Sequence, residues 1–212
     1  MACKDKLEEP YILRSSIIKS ISQEHFKHVK GRGKENIVMV CNELLSSNKN
    51  AEKFIAFDWV YRIRKTLSME DFATFENWIE KHIDNWALCD VLCTKALGCF
   101  IFAFPEFLKD LKRWASSDNR WFRRASAVTL IYSLRKKRYF KESLEIAEIL
   151  LQDKEDMVQK GYGWMLKEAC KHHEDEVYSF VLARKKIMPR TALRYAIEKM
   201  PAQRKKQVMK RD

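Results

Sequence analysis

Two short stretches of the sequence begin with the same pair of residues, and their spacing decides the fold. Asp84-Asn-Trp-Ala-Leu-Cys-Asp90 and Asp118-Asn-Arg-Trp-Phe-Arg-Arg124 start 34 residues apart, and a further predicted helix opens at Asp156, 38 residues later. We expect each of these aspartates to be the N-cap of a helix. Pairs of antiparallel helices that repeat about every 34 to 40 residues are the unit of an α-solenoid. The spacing therefore predicts such a repeat.

Helical periodicity extends over almost the whole chain. In residues 142–152 and 156–170, apolar side chains recur at three- and four-residue steps with acidic or basic residues between them. The sequence predicts helices at 11–29, 35–46, 51–66, 69–82, 85–102, 105–116, 119–135, 140–152, 156–172, 174–186, 190–199 and 201–210. The predicted fold class is all-α, a right-handed superhelical α-solenoid of about six HEAT-like antiparallel helix pairs. We expect one domain over residues 1–212, with a short N-terminal tail at 1–10.

Composition excludes two other classes of protein. Hydrophobic residues make up 46% of the 212 residues, which is too many for a disordered chain. The chain has only 5 glycines and 4 prolines, too few turn residues for a sandwich of short strands.

The net charge of +12 is unevenly distributed along the chain. Residues 1–106 contain 15 basic and 15 acidic side chains, whereas residues 107–212 contain 26 basic and 14 acidic ones. A one-sided basic field attracts polyanions, so nucleic acid or an anionic membrane surface is indicated as the partner. A solvated surface that aids solubility is the alternative explanation of the same charge.

The sequence predicts neither a membrane span nor export. The apolar run Cys99–Phe104 is far shorter than the roughly 20 residues that cross a bilayer, and the first ten residues are charged where a signal peptide would be apolar. We therefore expect a cytoplasmic protein with reduced thiols. Cys89 and Cys93 lie one helical turn apart, but no histidine or second cysteine pair stands near them at zinc spacing. We expect buried thiols and no metal site.

Asp90 is the most unusual polar residue of the predicted helix at 85–102. Apolar residues flank it on both sides, and it follows Trp86 by four positions, so the two side chains share one helix face. Two explanations of this carboxylate are open. It is either a structural acid paired with an arginine, or a carboxylate held in a cleft to face developing positive charge.

The next predicted helix pair brings Trp121, Arg123 and Arg124. Neighbouring side chains on a helix point about 100° apart, so only one of the two arginines can face a groove while the other bridges to a neighbour or to solvent. The arginine fork suits a phosphate. We expect the side chains near Trp86, Trp121 and Trp164 to line one groove.

Gly161 and Gly163 lie on either side of Tyr162 inside a predicted helix, immediately before Trp164. Glycine inside a helix costs about 1 kcal/mol relative to alanine. The two glycines therefore predict a close approach by another backbone, which is either a neighbouring helix or a nucleic-acid strand.

Three motifs of the sequence resemble those of the AlkD-type DNA alkylation repair family of HEAT-like-repeat DNA glycosylases. They lie at residues 85–90, 115–125 and 158–168, and the closing segment 190–199 continues the resemblance. Their order and approximate spacing are kept over residues 11–200. The resemblance therefore covers most of the chain.

The resemblance implies a groove that holds duplex DNA and releases cationic alkylpurines such as 3-methyladenine and 7-methylguanine by hydrolysis. Asp90 matches the family's catalytic carboxylate, Trp86 and Trp164 match its cleft aromatics, and Arg124 matches its phosphate-contacting arginine. A carboxylate stabilises the oxocarbenium-like sugar that the departing base leaves, and indole faces favour cationic carbon. The resemblance implies no metal, no organic cofactor and no base-flipping pocket.

Further basic residues of the C-terminal half are expected to contact DNA. They are Arg120, Arg123, Arg135, Lys136, Lys137, Arg138 and Arg190. We expect duplex DNA as the partner of a monomer that does not bind membranes.

Two alternative functions stay open. Active members of the family are expected to carry a further N-terminal helical segment, whereas only ten residues precede the stretch that matches at Tyr11–Lys30. The first alternative is therefore a non-catalytic relative that binds an altered or branched DNA structure. The second is a protein-interaction solenoid, since HEAT-like grooves also bind peptides.

Overall fold

The structure is a computed structural model that describes residues 15–47 and 49–210. The described residues form helices and turns without any strand, so the all-α prediction is confirmed. The predicted tail at 1–10 lies outside the described residues. The chain divides into two compact units, unit 1 at residues 1–92 and unit 2 at residues 93–212.

The described part of unit 1 is built on a central helix. Its α-helices are α1 (Ser15–Val29), α2 (Lys34–Leu45), α3 (Asn50–Arg62), α4 (Phe72–His82) and α5 (Trp86–Val91). Helices α1, α2 and α5 all pack against α3. The indole of Trp59 donates to the Ser22 carbonyl at 3.1 Å, and the indole of Trp78 donates to Asn42 Oδ1 at 2.7 Å. Buried tryptophans thus tie α1 to α3 and α2 to α4.

Unit 2 consists of helices that alternate between two layers. Its α-helices are α6 (Gly98–Ala103), α7 (Leu108–Ala115), α8 (Arg120–Leu134), α9 (Phe140–Ile149), α10 (Asp156–Ala169), α11 (Glu174–Arg184), α12 (Arg190–Ala196) and α13 (Ala202–Met209). In one layer α6 contacts α8, α8 contacts α10 and α10 contacts α12. The intervening helices form the other layer, in which α7 contacts α9 and α11 contacts α13. This alternation is the packing expected of helical repeats.

Helices α6, α8, α10 and α12 pack closely because the glycines of α6 and α10 leave room for the neighbouring helix. We call these four helices the glycine row. A Cβ atom on Gly98 would lie 2.6 Å from a side chain of α8. A Cβ atom on Gly161 would lie 3.2 Å from Arg124 Cγ of α8, and one on Gly163 would lie 2.7 Å from Tyr195 Cβ of α12. The predicted close approach of another backbone is confirmed for Gly163, which meets the Ala192 backbone of α12, whereas Gly161 meets side chains of α8.

The helix boundaries agree with the predicted ones to within a few residues, but two local predictions were wrong. The N-caps are asparagines instead of aspartates: Asn85 Oδ1 accepts from the Leu88 amide at 3.0 Å, and Asn119 Oδ1 accepts from the Trp121 amide at 2.8 Å. Asp156 is the first residue of α10 and not its cap. The predicted helix at 85–102 is interrupted by a π-helical turn, Leu92–Leu97. A π-turn adds one residue to a helical turn and so shifts the faces of the residues that follow.

Candidate functional site

Trp86 is exposed at the start of α5. Its side chain is 47% exposed, although Leu88 and Cys89 of the same short helix are fully buried. The cap at Asn85 fixes where the helix begins, and Asn85 Nδ2 in turn donates to Asp84 Oδ1 at 2.7 Å. Single exposed apolar side chains are common on protein surfaces, so the indole matters here because of the polar residue beside it.

Asp90 lies one turn after Trp86 on the same face of α5 and is partly exposed. The π-helical turn begins two residues after it, at Leu92. Single π-turns within helices are rare and occur frequently at functional sites. Trp86 and Asp90 therefore place an aromatic ring and a carboxylate side by side, which together suit a cationic ligand.

Trp164 is partly exposed on α10 of unit 2. Lys167 follows it by three residues, donates to Glu198 Oε2 at 2.9 Å and lies 5.7 Å from the centre of the Tyr195 ring. This bridge joins α10 to α12 beside the indole. The sequence does not mark Lys167, Tyr195 or Glu198 as site residues, although Gly163 indicates the close approach of another helix.

Trp121, expected to line a groove, is a core residue and is only 6% exposed. That part of the prediction was wrong because the aromatic ring packs inside unit 2, where burial of its large apolar surface stabilises the fold.

Arg124 is built into the contact between α8 and α10. Its side chain is buried at 4% exposure, it donates to the Met157 carbonyl, and its stem packs under Gly161. A phosphate contact by Arg124 stays a prediction, and this burial limits the approach of a phosphate to the guanidinium as it stands.

Arg123 bridges to a neighbour, as expected for one member of an adjacent arginine pair. It donates to both Asp153 oxygens at 2.6 and 3.5 Å, and to the carbonyls of Ser117 and Asp118 at 2.8 and 2.9 Å. These contacts join α8 to the connection between α9 and α10 and to the turn that precedes α8 itself. Its predicted contact with DNA is therefore the least favoured of the set.

The other predicted DNA contacts lie at the ends of unit 2 helices. Arg120 lies 3.6 Å from Glu155 and 4.8 Å from the Trp121 ring. Arg190 donates two long hydrogen bonds to the Met209 carbonyl, at 3.4 and 3.5 Å. Both side chains are partly exposed.

Residues 135–139, which we call the basic turn, connect α8 to α9. Arg135, Lys136, Lys137 and Arg138 are all exposed. Arg135 donates to Glu168 Oε2 at 3.0 Å, and Lys171 donates to the same oxygen at 2.8 Å. Burial of Glu168 disfavours its charge, but these two cations outweigh the burial and lower the pKa of its carboxyl. Glu168 therefore stays charged beneath the basic turn.

The cysteines behave as small core residues. Cys89 and Cys93 are fully buried, and burial raises the pKa of the Cys41 and Cys170 thiols to about 12. In residues 15–47 and 49–210 no group of three histidine, cysteine or acidic side chains is arranged to hold a metal ion.

One helical segment in the described chain, Trp86–Ala103, is long and apolar enough to cross a membrane by length and composition alone. Half of it is buried within the protein, and a core helix passes the same test. Its most apolar residues, among them Leu92 and Leu97, are fully buried.

Comparison with known proteins gives a consistent result. The sequence profile of a family described as "DNA alkylation repair enzyme" matches residues 9–200. No curated protein sequence matches the chain.

Solved structures give the same fold. The chain is similar to a predicted DNA alkylation repair enzyme from Enterococcus faecalis, with a TM-score of 0.79, 16% identity and coverage of 90% of this chain and 87% of that one. It is also similar to AlkD2 from Streptococcus mutans, with a TM-score of 0.66, 22% identity and coverage of 87% and 91%. A third similar structure is that of smu.31 from Streptococcus mutans UA159, with a TM-score of 0.64, 22% identity and coverage of 92% of each chain.

Proposed function

Because this chain belongs to the DNA alkylation repair enzyme family, we propose that it binds duplex DNA and hydrolyses the N-glycosidic bond of cationic alkylpurines such as 3-methyladenine and 7-methylguanine. The observation that carries the proposal is the pair on α5. Trp86, which is 47% exposed, and Asp90, which is partly exposed, share one face of a helix whose Leu88 and Cys89 are buried. Single exposed apolar side chains are common on protein surfaces, so it is the pairing of the indole with Asp90 that carries the proposal.

The chemistry that this pair supports is charge stabilisation. When the bond between C1′ and the purine nitrogen breaks, its electron pair leaves with the base and neutralises the positive charge of the alkylated ring. The sugar becomes an oxocarbenium-like cation, which the Asp90 carboxylate stabilises while the Trp86 ring offers its electron-rich face. A water molecule then bonds to C1′ and passes its proton to the carboxylate and on to solvent.

Cationic lesions fit this mechanism better than neutral bases. A cationic purine departs as a neutral molecule and needs no proton from the protein, whereas uracil departs as an anion and needs stabilisation of its own. Each factor of ten in rate corresponds to about 1.4 kcal/mol of barrier. The lesions released fastest should therefore be those whose N-glycosidic bond already breaks most readily in the absence of an enzyme.

The charge of unit 2 supports the binding of a polyanion. Residues 93–212 contain 27 basic and 15 acidic side chains. Contacts between such residues and phosphates supply affinity without reading the base sequence. A repair enzyme that must survey any sequence gains from binding of this kind.

The test is release of 7-methylguanine from methylated duplex DNA by the full chain, with a uracil-containing duplex of the same sequence as the control. We expect release of the methylated base and none of uracil. Excision of uracil at a comparable rate, or activity that a chelator removes, contradicts the mechanism. Binding of DNA without any release of methylated base supports the non-catalytic alternative instead.

A further inference from the structure

The basic turn follows the end of α8 in a geometry that glycine normally supplies. The amides of Lys136 and Arg138 both donate to the Ser133 carbonyl, at 2.9 and 3.0 Å, and the amide of Lys137 donates to the Leu134 carbonyl at 2.9 Å. This is the Schellman arrangement, whose left-handed residue is usually glycine. Here the left-handed residue is Lys137, with a φ of 58°.

A second left-handed residue, Tyr139, has a φ of 62° and precedes α9. Bulky residues rarely adopt this conformation, which is strained for any residue that carries a side chain. Tyr139 Oη donates to the Phe102 carbonyl at 3.4 Å. The Arg138 guanidinium lies over both rings, 4.7 Å from the centre of Phe102 and 4.8 Å from that of Tyr139. Stacked side chains therefore hold the strained backbone in place.

The lysines of the basic turn extend away from this framework. Arg135 is bound to Glu168, and Arg138 lies over the two rings. In the part of the chain that the structure describes, the side chains of Lys136 and Lys137 make no hydrogen bond or ion pair. Both lysines are exposed. Burial is the main cause of the raised pKa of the Tyr139 hydroxyl, and the nearby carboxylates of Glu142 and Glu106 raise this pKa further.

We propose that the basic turn is a contact for the phosphate backbone of DNA, and that Lys137 occupies the position suited to glycine because its charge is needed there. The inference rests on the DNA binding proposed above and deepens it. A lysine in place of glycine lowers stability, and proteins keep such strain where function requires it. Because the backbone is fixed, only the two lysine side chains lose freedom when they bind a phosphate.

A cation near a helix C-terminus also interacts favourably with the helix dipole. If this structural role were the reason for Lys137, replacing it by glycine would lower the stability of the fold or leave it unchanged. If the strain is kept for DNA binding, the same substitution should raise the stability. Stability and DNA affinity together therefore separate the two explanations.

The experiment compares three variants of the full chain, Lys137→Gly, Lys137→Asn and Lys137→Arg, with the wild type. Lys137→Gly should raise Tm by about 2 °C, because the strain is relieved. Both Lys137→Gly and Lys137→Asn should weaken binding to a duplex about threefold to tenfold and reduce the log–log salt slope by about 1, as expected for one lost phosphate contact. Lys137→Arg should bind like the wild type.

The matched control is Lys81→Gln, which removes one positive charge from an exposed position of α4 in unit 1. We expect it to change the affinity for DNA less than twofold. If Lys137→Gly lowers Tm or leaves it unchanged, or if it weakens binding no more than the control does, the inference is overturned. If the wild type itself does not bind DNA, the proposed function fails, and the inference fails with it.

Discussion

The two compact units of the chain differ in charge and in the way their helices meet. Residues 1–92 contain 14 basic and 14 acidic side chains, whereas residues 93–212 contain 27 basic and 15 acidic ones. In unit 1 large aromatic side chains such as Trp59 and Trp78 join the helices. In unit 2 glycines let α6, α8, α10 and α12 approach one another closely.

The difference indicates a division of tasks. Unit 2 combines the closely packed helices of the glycine row with an excess of positive charge. This charge suits the binding of a polyanion. The neutral unit carries the exposed Trp86 and the partly exposed Asp90. Binding energy would thus come mainly from unit 2, and the chemical step from α5.

The largest expected effect is on the salt dependence of DNA binding. If about six phosphates are neutralised, the affinity should fall with a log–log slope of about −5, or roughly a thousandfold between 50 and 200 mM salt. Lys136→Gln in unit 2 should reduce this slope by about 1, while Lys81→Gln on the surface of unit 1 should not change it. Titrations of one duplex at several salt concentrations measure both. Equal effects of the two substitutions would remove the distinction between the units.

The next effect concerns the packing of the glycine row. A Cβ atom on Gly163 would lie 2.9 Å from the Ala192 carbonyl oxygen, so Gly163→Ala must push α10 and α12 apart. We expect a loss of about 2 kcal/mol and a fall in Tm of about 4–8 °C in thermal unfolding.

Gly161→Ala is the matched control, because its new methyl group would meet side-chain atoms instead of backbone: Arg124 Cγ at 3.2 Å, and Arg124 Nη1 and a Val128 methyl group at 3.4 Å. Alanine is the better helix former by about 1 kcal/mol, so Tm should stay unchanged or rise. If both variants lost the same amount of stability, the contact of α10 with α12 would be no closer than its contact with α8.

The smallest effect is the pH dependence that Glu168 contributes. Its pKa is lowered from 4.5 in the folded protein, since Arg135 and Lys171 outweigh the effect of burial. The corresponding stability is therefore present above the pKa of the unfolded chain and is lost as the pH falls through the lower folded pKa. Glu168→Gln should lower Tm by about 2–4 °C at neutral pH, and this difference should shrink towards about pH 3.

Glu198→Gln serves as the comparison for Glu168, because it removes a more exposed ion pair, with Lys167. Exposed pairs contribute little, so the shift in Tm should be below about 1 °C. A difference for Glu168→Gln that stays constant from neutral to acid pH would mean that its charge is not the cause.

Sequence alone predicted the elements well because helical periodicity is a local signal. It could not predict the π-helical turn at Leu92–Leu97, since a π-turn arises from packing and not from a characteristic residue. The choice of Asn85 and Asn119 over the preceding aspartates as caps likewise depends on backbone angles that the Asp-Asn pair does not reveal.

The candidate site was predicted in part. The positions of Trp86 and Asp90 on one helix face follow from a spacing of four residues. The burial of Arg124 and the bridge from Lys167 to Glu198 do not, because they join helices about 30 residues apart in the sequence. The left-handed backbone at Lys137 could not be predicted either, since nothing in the sequence Arg-Lys-Lys-Arg-Tyr marks a position where glycine is the usual residue.

The central claim is that Asp90 performs the chemistry while the charge of unit 2 binds the DNA. The most direct measurement is the single-turnover rate of 7-methylguanine release by wild type and Asp90→Asn, with the affinity of both for the same duplex. We predict a rate at least about a hundredfold lower for Asp90→Asn and an affinity that is unchanged or slightly higher, because the carboxylate acts on the cationic transition state. An unchanged rate of release in the variant would contradict the account and make Asp90 a structural acid.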